Sequence, residues 1–210
     1  MIETISISYY YPNKMGRIVL LAMEEILGRT GINAILDHTK LHHWINNYPP
    51  NDMQQGFPFD DLSRLQIGLE EIYGPRAGQG LAMRIGQASF KYGLREFGQN
   101  NGITDLAFRL LPLPTKLSKG ADIFAETFNR FSDQRVRVEH NQEKIFWHIE
   151  RCPVCWQRSA DQPCCNLAVG ILQEALYWIS GGKLFNVEEI ACIAQGDPTC
   201  TIMIDKPERS

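Results

Sequence analysis

Six cysteines carry most of the reactive chemistry in this 210-residue chain. They are Cys152, Cys155, Cys164, Cys165, Cys192 and Cys200, and none precedes residue 152. A tetrahedral zinc site needs four N, S or O ligands converging at about 2.0–2.3 Å. Spacing alone offers two such sets. Cys165, Cys192 and Cys200 with Glu189 make one. Cys152-x-x-Cys155, with Cys164 or Cys165 and one of the late cysteines, makes the rival. A third reading leaves all six as buried thiols. In a reducing compartment, clustered cysteines are metal ligands, reactive thiols or small hydrophobes before they are disulfides. A filled four-ligand site is structural, because no position is left open for water. Three thiolates and a carboxylate around one dication leave net negative charge, so backbone N–H groups must surround them.

The elements that would position these ligands can be read from periodicity. Cys165 begins an apolar helix running to Gly181, where the helix dipole favours a thiolate. Gly181-Gly182 is its C-cap. Leu184–Cys192 and Thr199–Asp205 read as strands joined by the turn Gly196-Asp197-Pro198-Thr199. Cys192 and Cys200 then stand at the mouth of a hairpin. Glu189, three residues before Cys192, faces the other side of a regular strand and joins the cysteines only through a bulge or a twisted strand end. Arg135–Glu139 alternates with period two, His140-Asn141-Gln142 turns, and Lys144–Glu150 returns with Ile145, Trp147 and Ile149 on one face. The C-terminal half is therefore hairpin, helix, hairpin.

Helices precede it. Val19, Ala22, Met23 and Ile26 share a face over residues 16–28. Residues 38–58 read as irregular. The pair His42-His43 beside Trp44 could take a metal or a porphyrin edge, but a surface loop is the simpler reading. His148 reads as a hydrogen-bonded strand histidine. Asp60 and Asp61 cap a helix to Tyr73, ended by Gly74-Pro75. Residues 76–98 are helical yet carry Gly78, Gly80, Gly86 and Gly93. Each costs about 1 kcal/mol relative to alanine, so a neighbouring helix or a ligand approaches closely there, the former being the plainer reading. A helix covers 105–111, Leu113-Pro114 interrupts, and Leu117, Phe124, Phe128 and Phe131 stripe a helix over 117–131. The fold class is α+β: an antiparallel sheet of about four strands packed with several helices. Residues 1–75 form an N-terminal helical extension or part of the same domain, and 76–210 form the ligand-binding domain.

Composition bounds the function. Hydrophobic residues are 44%, charged residues 21%, and the net charge is −3. That is ordinary globular composition without the basic excess of a nucleic-acid binder. The start lacks a signal-peptide pattern and no apolar run spans a membrane, so the expectation is a soluble cytoplasmic chain. Peripheral membrane contact stays compatible with that. No GxSxG, HExxH, Walker or dinucleotide fingerprint occurs, so nothing positive marks an enzyme.

The tail resembles a known family. Cys165-Asn-Leu-Ala-Val-Gly170, Gly181-Gly182-Lys-Leu-Phe-Asn-Val-Glu-Glu189-Ile-Ala-Cys192 and Gly196-Asp197-Pro-Thr-Cys200-Thr-Ile-Met-Ile are similar to the 4-vinyl-reductase (hydrocarbon-binding) domain family. The resemblance is strong over 152–204 and extends weakly to Arg84–Gly93. It implies a fold like that of the TRAPP vesicle-tethering subunits, usually dimeric, around an apolar pocket. It also implies zinc, held by a cysteine, a glutamate and two cysteines, which match Cys165, Glu189, Cys192 and Cys200, with Glu188 as the substitute for Glu189. Candidate pocket residues are Phe90, Tyr92, Phe124, Phe128, Trp147 and Trp178. The style of the motifs resembles stand-alone cyanobacterial members. The implied function is non-enzymatic: a binding protein for a large apolar ligand, a chlorophyll-type tetrapyrrole. It would act as an assembly factor for photosynthetic pigment-proteins such as photosystem II. It would be a homodimer or pair with a related subunit, in the cytoplasm or at the thylakoid or inner membrane. The alternatives are a small-aromatic or hydrocarbon sensor acting through a partner, a TRAPP-like interaction scaffold and, ranked last, a vinyl reductase.

Overall fold

Period-two alternation in the C-terminal half builds an antiparallel sheet of four strands. In the computed structural model, which describes residues 8–98 and 106–209, β3 (Arg135–His140) and β4 (Lys144–Arg151) form one hairpin. Two further strands, numbered below in chain order, form the other: Phe185–Ala191 and Cys200–Glu208. With β1 (Tyr10–Pro12) and β2 (Gln55–Pro58) earlier in the chain, these are β5 and β6. The sheet order is β3-β4-β6-β5. Ile145, Trp147 and Ile149 of β4 and Ile202 and Ile204 of β6 point to one face and are at most 2% exposed. That face is covered by helices, as a half-apolar sheet requires.

Six helices supply the cover: α1 (Asn13–His38), α2 (Phe59–Tyr73), α3 (Pro75–Phe97), α4 (Leu106–Arg109), α5 (Leu113–Phe131) and α6 (Asn166–Ser180). Three local differences from the sequence expectation have plain causes. Leu113-Pro114 starts α5 instead of interrupting a helix, because proline in the first turn forfeits an N–H that has no partner there anyway. The helix expected over 16–28 runs on to His38, with a break at Gly28 (φ 72°, ψ 164°) that only glycine adopts readily. Residues 38–58 are not wholly irregular. His42–Trp44 is a 3₁₀ turn, and β2 pairs with β1 in an antiparallel ribbon whose partners are far apart in sequence. Position 105 lies outside the described residues, and α4 begins just after it.

α3 and α6 cross at two glycines. A Cβ on Gly86 would lie 2.2 Å from the Leu167 carbonyl oxygen, and one on Gly170 would lie 2.0 Å from that of Met83. This crossing fixes α6 against the helical layer. α6 ends at Gly181 (φ 78°), and the Gly182 N–H donates to the Tyr177 carbonyl at 2.8 Å. Buried side chains from Tyr11 to Ile204 form one connected core. Among the described residues no helix is long and apolar enough to cross a membrane.

Candidate functional site

The six cysteines converge. All are buried and none is in a disulfide. Cys152 and Cys155 lie in the turn after β4, Cys164 and Cys165 immediately before α6, and Cys192 and Cys200 at the facing ends of β5 and β6. The Sγ atoms of Cys165, Cys192 and Cys200 form a nearly equilateral triangle with edges of 3.9, 3.7 and 3.8 Å. Four thiolates at about 2.3 Å from one zinc stand about 3.8 Å apart, so the triangle matches one face of a tetrahedral site.

Glu189 completes the set. Its pairing with β6 slips between Glu189 and Ala191, and this bulge turns the carboxylate toward the thiols despite the three-residue offset from Cys192. Glu188 is exposed, so Glu189 is the glutamate that reaches the cluster. Glu189, Cys165, Cys192 and Cys200 bring one ligand atom each within 4.8 Å of one another. Glu189 Oε2 accepts from the Cys165 N–H at 2.6 Å, while buried Oε1 has no hydrogen-bond partner. An orphaned carboxylate oxygen beside three thiols is the donor a cation would satisfy. Burial and then Cys192 push its carboxyl up to about 8.

Backbone groups supply the expected surroundings. The Ile193 N–H donates to Cys200 Sγ at 3.3 Å, and the Cys192 N–H donates to Asp197 Oδ2 at 2.8 Å. Cys165 differs from the sequence expectation. Hydrogen bonds with neighbouring cysteines, Cys152 first, push its thiol up in spite of the helix N-terminus. Cys192 is pulled down instead, by hydrogen bonds from Cys155, Cys164, Cys165 and Cys200.

A second site lies on the other side of α6. An apolar cleft of about 90 Å³ runs between α1, α3 and α5. Phe90, Phe124 and Phe128 line it, as do Met15, Ile18 and Val19 of α1. Trp178 lines a narrow extension past Phe90 and Phe124 toward Ile179. Trp147 is not on the wall. It is 2% exposed and lies beneath, with its ring 5.6 Å from that of Phe124. Tyr92 lies outside the cleft, its hydroxyl hydrogen-bonded to Glu25. The α1 residues escaped sequence reasoning, because an apolar helix face looks the same over a core as over a cleft. Gly93 also lines the cleft, and a Cβ there would meet nothing within 4 Å. So Gly86 serves helix packing and Gly93 leaves open space. Among the described residues, the one buried hydroxyl without a partner on the wall is Ser89 Oγ. The histidines are elsewhere. His42 and His43 pair with Asp37 and Asp61, and His148 Nδ1 lies 3.0 Å from Thr201 Oγ1.

The family model of the 4-vinyl-reductase domain matches residues 145–206. No curated protein matches the sequence. Among solved structures, the chain is similar to the phenol-responsive sensory domain of the transcription activator PoxR with phenol. That match has 21% identity over 72% of this chain and 77% of that one, and a TM-score of 0.51. It is also similar to an H-NOX protein from S. oneidensis in the Fe(II)NO ligation state, at 13% identity over 92% and 99% of the two chains and a TM-score of 0.55. For the Fe(II) unliganded H-NOX protein from K. algicida the values are 10%, 95%, 97% and 0.57. These likenesses show a common α+β fold. The matched segment runs from β4 through α6 to β6 and contains every cysteine, so residues 145–206 are a 4-vinyl-reductase domain.

Proposed function

We propose that this protein is a non-enzymatic receptor for a small aromatic ligand bearing one polar group, which it holds in the α1/α3/α5 cleft. The observation that carries this is the cleft wall itself: aromatic and aliphatic side chains with one unpartnered hydroxyl, Ser89 Oγ. Apolar walls with a few polar groups are how small-molecule sites are built. Size supports the same reading. An engineered apolar cavity of about 150 Å³ takes up benzene, so about 90 Å³ between side chains able to shift suits one ring. The PoxR domain, with phenol bound, has the same fold. On this reading the signal passes to a partner, and a homodimer or a related second subunit is the natural form.

Cys165, Glu189, Cys192 and Cys200 are assigned one structural zinc, which would clamp the N-terminus of α6 to the β5–β6 hairpin. The thiolate-rich donor set and the orphaned Glu189 Oε1 support it.

A second reading keeps the chlorophyll-type tetrapyrrole and a role in photosystem II assembly, in the cytoplasm or at the thylakoid surface. It draws on the H-NOX likeness and on a groove of about 450 Å³ beside Trp178. Phe108 and Ile179 there offer apolar faces, and Arg109 and Lys116 offer cations for ring carboxylates.

Calorimetric titration with phenol, toluene and protoporphyrin decides between them. Phenol should bind at micromolar concentration, and Gly93→Leu, which fills open space, should abolish binding while leaving the melting temperature unchanged. Protoporphyrin binding that survives Gly93→Leu would establish the groove instead. No binding of any of the three would overturn both readings.

A further inference from the structure

Cys152 and Cys155 are not used by the zinc site assigned above, yet they touch it. Cys152 Sγ lies 3.5 Å from Cys165 Sγ, and Cys155 Sγ lies 3.3 Å from Cys200 Sγ. Cys152, Cys155, Cys165 and Cys200 form a second group of four donors, all within 4.8 Å of one another and all buried. The two groups share one edge, Cys165–Cys200, which is 3.7 Å long. We infer that the cluster is built for two metal ions, in edge-sharing tetrahedra bridged by the Cys165 and Cys200 thiolates, with Cys152 and Cys155 closing the second tetrahedron.

Chemistry and charge favour this over spare thiols. Two dications against five thiolates and one carboxylate leave the same net charge as one dication against three thiolates and one carboxylate. The second ion therefore brings in two more buried thiolates at no added charge. The residual negative charge meets Arg158, whose cation interacts with Cys164 and Cys165 and whose buried Nη1 has no hydrogen-bond partner. Its other terminal nitrogen is held by Glu70. Cys152-Pro-Val-Cys155 follows β4 directly, so one tight turn delivers both outer ligands.

The contacts also choose the kind of cluster. In an iron–sulfur centre, inorganic sulfide lies between the irons and thiolates cap them from outside. Here the thiols touch one another, which leaves room for bare ions between them and none for sulfide. A soft, all-thiolate tetrahedron is a zinc site by ligand type and geometry. Cys164 belongs to neither group of four and stands 3.8 Å from Cys192.

The inference rests on the first zinc site for its two shared thiolates, and the test separates them. The full chain, purified without a metal-binding tag, is analysed for zinc, iron and acid-labile sulfide. The wild type should hold about two zinc per chain, and Cys164→Ser the same. The double variant Cys152→Ser/Cys155→Ser should hold about one. Cobalt titration of apo protein needs no variant. Its second equivalent should quench the paramagnetic signal of the first, because thiolate-bridged ions couple. One zinc in both the wild type and the double variant, with no quenching, would overturn the second ion and leave the first. Loss of metal from Cys164→Ser but not from the double variant would overturn the ligand assignment. Iron with sulfide would overturn the zinc cluster, and no metal in any form would overturn both sites.

Discussion

Ser89 shows how little of a binding site is visible in residue types. A serine on an apolar helix face reads as tolerated polarity, and only its position on the cleft wall, 5% exposed and without a partner, gives it a task. That position makes a prediction in which stability and binding move in opposite directions. A buried hydroxyl with no hydrogen bond carries a desolvation cost of about 1–3 kcal/mol. Ser89→Ala should therefore leave the unliganded protein as stable or more stable, seen as an unchanged or raised denaturation midpoint. The same change should weaken phenol about tenfold, the worth of one hydrogen bond, and leave toluene unaffected. Equal weakening of both would make Ser89 a packing residue. Glu189 teaches the complementary lesson. Its type and spacing were legible, but its reach was not, because the strand period turns it away and only the local slip against β6 turns it back.

The elements were more legible than their junctions. Both C-terminal hairpins, α6 and the caps at Gly74 and Gly181 follow from alternation, helical spacing and glycine placement. The β1–β2 ribbon was hidden because short strands paired across a long stretch of chain leave no local period. The glycines of α3 gave one signal with two causes. At Gly86 the cause is the α6 backbone, and at Gly93 it is open space. The crossing is reciprocal, so Gly170→Ala should be costly although alanine favours helices by about 1 kcal/mol. A methyl 2.0 Å from the Met83 carbonyl oxygen cannot be housed by a side-chain rotation. The helices must separate, and overpacking of this kind costs about 1–3 kcal/mol or more. Urea denaturation should show that loss. A neutral or stabilising outcome would mean that α3 and α6 are not locked at these glycines.

At the scale of the whole molecule, α6 joins the two sites. Its N-cap is Cys165, a corner of the metal cluster, and Ile171, less than two turns further on, lines the cleft. Ala175 and Ile179 line the extension of the cleft, and Gly170 pins the helix to α3 in between. A helix held at one end by thiolate ligands and in its middle by backbone contact transmits a change of position as a rigid body. Removing metal frees the end, and the cleft wall loses its reference. Chelation should then weaken ligand binding, and coupling between sites of this kind typically amounts to about 5–150-fold. Linkage requires the converse: saturating ligand must tighten metal binding by the same factor. The measurement is a closed cycle of four titrations, phenol into the zinc-loaded and chelated protein, and zinc into the liganded and free protein. The two ratios should agree and exceed unity. If phenol binds equally well with and without zinc, the metal cluster only staples the hairpin to the helix. If chelation instead unfolds the chain, seen as loss of far-ultraviolet circular dichroism, the cluster's role is in folding, as it is for structural zinc in small domains.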